Sequence, residues 1–321
     1  MLYEVDSSQA ARHVLGRDAN EQRFQQLKVY IETLWHDDRC RFVQCRKCSF
    51  CFASPYVAAD KRLYELVYDN AAVYHGWKWE YQVTLEALFG MTSCRRLTGF
   101  RLLEMGAGDG AFVKSICPRL VPKNDVLCTE YSYYGRNEIA RYGIACLSSD
   151  VWDMDAAEYA GSFDVVCMFQ VLEHLDHLDA FFECLTTLTK RQAHLFIAVP
   201  NAKHREFYDR HGFIEDIPPT HIGRWNKRSL EVIAGRHGWR ITHHEIEPQS
   251  LTSKVSKFAR VCLGKSNLMR QAQQIRVRVL RKAAKAAVLG GVMLRALPAI
   301  YQLTSPEMGL SQWVHLEKRC V

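Results

Sequence analysis

The order of apolar and polar positions predicts strands that alternate with helices through the middle of the chain. The run Phe163–Phe169 is apolar at every position but one, as expected of a strand that helices cover on both faces. Shorter apolar runs end at Glu104, at Glu130 and near Asp150. Their order is that of a βαβ domain, so the pattern predicts an α/β fold built on a largely parallel sheet.

The same pattern predicts elements at both ends of this core. Glu21–Trp35 has apolar residues at helical spacing and is predicted to form an amphipathic helix that covers the edge of the domain, or acts as a lid over a substrate. Trp239–Ile246 is predicted as a sixth strand and Ser311–Lys318 as the last one. The residues between these two strands, 248–306, then form an insertion.

A glycine-rich turn follows the apolar run that ends at Glu104. Gly106, Gly108 and Gly110 have no Cβ, so a cofactor can approach their backbone closely. With Ala111, the spacing fits a dinucleotide fingerprint, and it equally resembles the first motif of class I S-adenosylmethionine (SAM) methyltransferases. Glu104 favours the second interpretation, because its carboxylate would repel a pyrophosphate and would attract the cationic amino-acid end of SAM.

Four later segments carry a family resemblance: Phe169–Leu175, Ile197–Asn201, Pro218–Trp225 and His237–Trp239. Over residues 40–247 the chain resembles class I methyltransferases related to the ubiquinone-biosynthesis O-methyltransferases. This resemblance implies an α/β, Rossmann-like sheet of seven strands whose last strand lies antiparallel between the fifth and sixth. A helical and cysteine-rich extension would precede it, and a helical insertion would precede the last strand.

The resemblance also implies roles for particular residues. The cofactor-binding set comprises Glu104, Gly106, Gly108 and Gly110 at the turn, Glu130 at the ribose, Asp150 and Val151 at the adenine, and Gln170 behind the sulfonium. Glu173 and Arg224 would face the acceptor. His174 and His221 are the candidate catalytic bases, because imidazole titrates near neutral pH. Each histidine could instead be structural. Thr220 stands where the family commonly has a second histidine.

Four cysteines lie close together near the start of the resemblance: Cys40, Cys45, Cys48 and Cys51. Four thiolates could close a tetrahedral zinc site. The spacing lacks the usual loop between two knuckles, so the alternative is a segment that packs without metal.

Charge divides the chain unevenly. No acidic residue lies between Glu247 and Glu307, whereas eleven Lys and Arg residues do. The net charge of the chain is +7, so the residues outside this segment have a net charge of −4. A basic segment that continues into an apolar one is typical of a helix lying on an anionic membrane, so residues 254–301 are a candidate peripheral membrane contact. The alternative is a packed helical insertion with solvated cations. Nucleic acid is disfavoured, because aromatics are absent between Arg260 and Ala299.

The predicted organisation follows in five parts: residues 1–39 as a helical segment, 40–80 as the cysteine-rich lead-in, 81–247 as the SAM-binding core, 248–306 as the basic insertion and 307–321 as the final strand. No secretory signal is visible at Met1, so a cytoplasmic enzyme is expected. We expect SAM-dependent methylation, at oxygen, of a small-molecule, lipid-linked or saccharide acceptor. A non-catalytic scaffold that docks through its basic segment and a nicotinamide-dependent oxidoreductase are the alternatives.

Overall fold

The computed structural model describes residues 1–16, 20–67, 76–92, 99–117, 119–148, 154, 156–265, 274 and 278–319. The strands are β1 (Tyr3–Asp6), β2 (Arg39–Gln44), β3 (Cys51–Ser54), β4 (Leu102–Met105), β5 (Val126–Thr129), β6 (Ala145–Leu147), β7 (Phe163–Phe169), β8 (Thr189–Pro200), β9 (Gly223–Arg224), β10 (Trp239–Ile246) and β11 (Ser311–Lys318). The helices are α1 (Ser7–Leu15), α2 (Glu21–Trp35), α3 (Lys61–Val67), α4 (Trp79–Thr92), α5 (Ala111–Ile116), α6 (Tyr133–Arg141), α7 (Ala156–Tyr159), α8 (Leu178–Leu188), α9 (Ala202–Arg210), α10 (Lys227–Arg236), α11 (Leu251–Lys265) and α12 (Arg278–Leu303).

The main sheet has seven strands in the order β6-β5-β4-β7-β8-β11-β10. Strands β4 to β8 run parallel to one another, and β11 is antiparallel to both β8 and β10. This order confirms the predicted Rossmann-like class I methyltransferase sheet, including the position of the last strand and the insertion before it. The parallel strands bring the carboxyl ends of β4, β5, β7 and β8 to one edge, which is where such sheets bind ligands.

Alternation along β7 explains why this strand is apolar almost throughout. Val165 and Cys167 pack into one buried cluster, and Val166 and Met168 pack into another on the opposite face. Side chains of a strand point alternately to its two faces, so both faces require apolar residues when helices cover each of them.

A second, smaller sheet precedes the core in the chain and has the order β1-β2-β3-β9. Its inner face packs against α1 and α2, whose buried residues include Phe24, Leu27 and Ile31. The helix predicted at Glu21–Trp35 is therefore present and amphipathic. Strand β9 comes from the loop after α9, so this sheet ties the first part of the chain to the core.

Helices α11 and α12 form the insertion between β10 and β11. The middle of α11 and the end of α12 pack against α9 through a cluster that includes Phe207, Phe258, Ala299 and Leu303. Among the residues that the structure describes, no helix combines the length and the hydropathy needed to cross a membrane.

Candidate active site

The glycine turn between β4 and α5 lies at the carboxyl edge of the sheet. Gly106, Gly108 and Gly110 all have positive φ, between 58° and 78°, a region that side chains with a Cβ rarely adopt. A Cβ on Gly106 would lie 2.6 Å from Cγ2 of Val171, the residue that follows the end of β7 by two positions. The turn is therefore packed directly against the loop after β7.

Glu104 lies beneath this turn and is almost fully buried on β4. Burial raises the pKa of its carboxyl well above the usual value, although a backbone hydrogen bond from Val113 and the charge of Lys78 oppose that rise. Oε2 has no hydrogen-bond partner in the protein. A buried carboxylate oxygen without a partner is costly, so this position fits a cationic ligand group that would supply one.

Glu130 connects the glycine turn to the start of α6. Its Oε2 accepts a hydrogen bond from the backbone N–H of Gly108 at 2.8 Å, and its Oε1 accepts one from the N–H of Ser132 at 2.8 Å. The carboxylate thus lies at the carboxyl end of β5, beside the turn. The other two residues predicted at the adenine, Asp150 and Val151, lie outside the described residues.

Gln170 directly follows β7 and has a left-handed backbone conformation, with φ of 60°. Its side-chain nitrogen donates to Glu80 Oε1 at 3.3 Å and to Ser311 Oγ at 3.4 Å. Non-glycine residues with positive φ concentrate at functional sites, and this one lies between the turn and the acceptor side. The buried Glu80 was not predicted from the sequence as a member of the site.

The acceptor side combines three residues predicted from the motifs. Ligand atoms of Glu173, His174 and His221 all lie within 4.8 Å of one another, so this cluster could also hold a metal ion. The two imidazole rings meet edge to face, with centroids 4.6 Å apart. Asp216 completes the group, because its Oδ1 lies 3.1 Å from Nδ1 of His221. Nothing in the sequence pattern distinguished Asp216, which joins the site through the fold of the loop after α9.

Electrostatics give these side chains different proton affinities. Burial raises the pKa of Glu173 to about 7, and neither of its carboxylate oxygens has a hydrogen-bond partner. Burial, with the neighbouring charge of His221, lowers the pKa of His174 to about 3. Burial alone would lower the pKa of His221 too, but the carboxylates of Asp216 and Glu173 outweigh it and raise that pKa. Near neutral pH, His221 therefore retains the proton affinity that a base needs and His174 does not.

His174 has a second, structural contact. Its Nδ1 donates to the backbone carbonyl of Thr220 at 2.6 Å, which anchors the loop after β7 to the loop that carries His221. This bond fixes the tautomer of the neutral ring and leaves Nε2 as an acceptor.

A series of ion pairs runs from this site to helix α11. Asp216 Oδ2 lies 2.9 Å from Nε of Arg205, and Arg205 Nη1 lies 3.1 Å from Glu215. The carboxylate of Glu215 then lies 3.8 Å from Nζ of Lys257 on α11. The histidine of the site and the helical insertion are thus joined by consecutive charge contacts.

Arg224 does not face the acceptor as expected from the motif. Its side chain is buried, pairs with Asp209 and donates to the backbone carbonyl of Asp216 at 2.8 Å. The guanidinium also lies over the ring of Phe42, 4.7 Å from its centroid, and donates to the hydroxyl of Tyr3 at 3.0 Å. These contacts hold the small sheet against the core, so the structure uses Arg224 within the protein.

The structure does not assemble the four-cysteine zinc site. No three of Cys40, Cys45, Cys48 and Cys51 bring their sulfur atoms within 4.8 Å of one another, whereas sulfurs on one zinc ion lie about 3.8 Å apart. Cys40 lies near the start of β2, and the five steps of extended chain from it to Cys45 span about 16 Å. The side chains of Cys40 and Cys51 are buried in the apolar layer of the small sheet instead. These cysteines therefore do not fit a tetrahedral zinc ion.

The sheet order and a glycine turn over a buried acid define a class I methyltransferase. The methyltransferase domain family matches residues 79–244, which is more than half of the chain. The chain belongs to this family. No curated protein matches its sequence.

Solved structures of low sequence identity resemble the chain. A SAM-dependent methyltransferase from Archaeoglobus fulgidus has 16% identity and a TM-score of 0.46, covering 74% of this chain and 94% of that one. The magnesium protoporphyrin IX methyltransferase of Synechocystis, solved with bound SAH, has 12% identity and a TM-score of 0.44, covering 74% and 82%. The family assignment rests on the matched domain and not on these likenesses.

Methyltransferases of this class take the methyl group from SAM, and the residues present fit that cofactor. The glycine turn, held at positive φ above Glu104, would accept its amino-acid end. Glu104 offers an unpartnered buried oxygen to a positive charge. Glu130 is the acid at the end of β5 that would bind the ribose hydroxyls. When bound, SAM supplies an electrophilic methyl group on a sulfonium.

Proposed function

We propose that the protein transfers a methyl group from SAM to a hydroxyl oxygen of a small-molecule, lipid-linked or saccharide acceptor. The observation that carries this proposal is the Glu173–His221–Asp216 cluster beside the glycine turn. A hydroxyl has to be oriented and must lose its proton to become a good nucleophile, and this cluster offers a carboxyl and an imidazole–carboxylate pair for those tasks.

Each side chain has a distinct part in the proposal. Asp216 orients the ring of His221 and stabilises its charged form, and His221 takes the proton of the acceptor. Glu173, whose oxygens are unpartnered within the protein, orients the acceptor through a hydrogen bond to a second polar group beside the reacting hydroxyl. Because methyl transfer is an in-line displacement, holding the two reacting groups in alignment supplies much of the rate.

The cofactor is tested first, by titration calorimetry with SAM and with its demethylated product. We expect wild type and Glu138→Ala, a carboxylate removed from the outer side of α6, to bind both compounds. We expect Glu130→Ala to lose binding, because the variant lacks the carboxylate predicted to hold the ribose. Absence of binding by folded wild type would contradict the proposal and would favour the scaffold alternative, in which the basic segment docks a partner.

The acceptor side is tested by release of demethylated cofactor in the presence of phenols, sugars and lipid-linked sugars. We expect His221→Gln to retain SAM affinity and to lose at least about a hundredfold in kcat, the usual range for removing a general base. His211→Gln, which changes an exposed histidine at the end of α9, is the matched control. If His221→Gln kept full kcat with the best acceptor, the role of His221 as base would be wrong.

A further inference from the structure

Helix α12 exposes large apolar side chains to solvent near both of its ends. Val279 is 74% exposed, Leu280 59%, Leu297 56% and Tyr301 79%. The helix has 26 residues, which corresponds to about 39 Å. Its last turns are anchored to the domain, where Ala299 and Leu303 are buried. Single exposed apolar residues are common on protein surfaces, but here they recur along one helix.

These residues form one stripe. Successive helical residues are about 100° apart around the axis, so Val279 and Leu297 align and Tyr301 lies about 40° from them. Leu280 lies about 100° from Val279 on the same side. The buried Ala299 and Leu303 each lie about 160° from Tyr301. The apolar stripe therefore faces away from the domain, and its exposure does not arise from the contact that anchors the helix.

Positive charge borders the stripe. Arg278 and Lys282 are exposed and lie about 100° and 60° from Val279, on the side away from Leu280. The whole segment between Glu247 and Glu307 contains eleven cations and no acidic residue. A helix with an apolar stripe beside cations has the pattern of helices that lie in the plane of a membrane interface.

We propose that α12 lies on an anionic lipid surface, with the stripe of Val279, Leu280, Leu297 and Tyr301 inserted among the headgroups and acyl chains. Charge complementarity favours this occupant, because a dense cluster of cations without acids suits a surface of anionic headgroups. The apolar stripe has no function on nucleic acid, for which the segment also lacks stacking aromatics.

The position of the insertion would bring the active site to the membrane. Strand β10 ends and β11 begins at the carboxyl edge of the sheet, where Ser311 pairs with Pro200. The glycine turn and the Glu173 cluster lie at this same edge. A lipid-bound α12 would thus hold the site near a lipid-linked acceptor, and this last step rests on the proposed function.

The test is flotation of the full-length protein with vesicles at low salt. One vesicle contains phosphatidylcholine alone, and the other contains 40% phosphatidylserine. We expect binding to the anionic vesicle and much weaker binding to the neutral one. Arg278→Gln with Lys282→Gln should weaken binding roughly thirtyfold, since each cation contributes about a fivefold factor. Val279→Ser with Leu280→Ser should weaken it at least about tenfold.

Matched control variants distinguish the effect of the stripe and its cations from the effect of exposed residues elsewhere on the surface. Val29→Ser removes an exposed apolar residue on α2, and Arg228→Gln removes an exposed cation on α10; both should float like wild type. Circular dichroism establishes that each variant is folded. No flotation of wild type with anionic vesicles would overturn the proposal, as would flotation that neither pair of α12 substitutions weakens, or binding to RNA without binding to vesicles. Vesicle binding needs neither cofactor nor acceptor, so its failure would leave the methyltransferase activity untouched.

Discussion

The buried carboxyl of Glu173 should make stability fall as pH rises. The side chain is fully buried, neither oxygen is hydrogen-bonded, and its pKa is raised from 4.5 to about 7. In the folded state it therefore keeps its proton up to about pH 7, whereas in the unfolded chain it loses the proton near pH 4.5. Its contribution to stability is fully present below the unfolded pKa and is lost as pH rises through the folded pKa.

The magnitude follows from the shift in pKa. Each pKa unit corresponds to about 1.4 kcal/mol, so a shift of 2.5 units costs about 3 kcal/mol once both states are ionised. Most of that cost, about 2.5 kcal/mol, develops between pH 5 and pH 8. Glu173→Gln has nearly the same shape and cannot ionise. The free energy of unfolding of this variant, relative to wild type, should therefore increase by about 2.5 kcal/mol between these two pH values.

Urea unfolding of both proteins at pH 5 and pH 8, without cofactor, measures this difference. Comparing the two pH values cancels any fixed effect of placing an amide in the site. Glu183→Gln on α8, where the carboxylate is exposed, should give the same difference from wild type at both pH values. If the difference in unfolding free energy between Glu173→Gln and wild type were also the same at both pH values, the carboxyl would not be desolvated in the folded state. The acceptor side of the site would then be accessible to water.

Three further predictions concern the turn, the joint between the sheets and the last strand. Gly106→Ala should cost about 2 to 5 kcal/mol of stability and abolish SAM binding, because φ is +63° and the new Cβ meets Val171. Adding Val171→Ala to this variant should restore part of its stability in urea unfolding. If Gly106→Ala alone had the stability of wild type, the packing of the turn against Val171 would be refuted. Arg224→Met should cost about 3 kcal/mol, because it removes a buried guanidinium and leaves the partly buried Asp209 without its partner, whereas Arg228→Met should cost little in the same assay. Deleting residues 312–321 should abolish cooperative thermal unfolding and SAM binding, since β11 joins β8 to β10; unchanged melting and affinity would contradict that role.

Much of the core could be predicted because its signals are local. The strand at Phe163–Phe169, the helix at Glu21–Trp35 and the last strand at Ser311–Lys318 have the bounds that their apolar patterns indicate. The glycine turn and Glu104 were predicted for the same reason, because the conformation of a short turn depends on consecutive residues. The order of the strands came from the family resemblance, since periodicity does not specify which strands pair.

Contacts between distant segments could not be predicted. The hairpin around Cys51 pairs with Gly223–Arg224, more than 170 residues later in the chain. The residues near Cys51 therefore contain no sequence pattern that predicts this pairing. Arg224 was assigned to the acceptor because the motif predicts the loop in which this residue lies. The motif does not predict the direction in which the side chain points. Asp216 and Lys78 reach the site only through the folded loops that carry them.

The position of β11 near the end of the chain affects how the protein folds during translation. Strand β8 ends at Pro200, but its partner begins at Ser311, so about 110 residues have to be added before the two can pair. At the usual rate of translation, 5 to 20 residues per second, the apolar edge of β8 waits about 5 to 20 s without its neighbour. An unpaired strand edge is a template for aggregation. We therefore expect the nascent chain to need protection at the ribosome, and slower translation of the insertion to lower the yield of soluble protein.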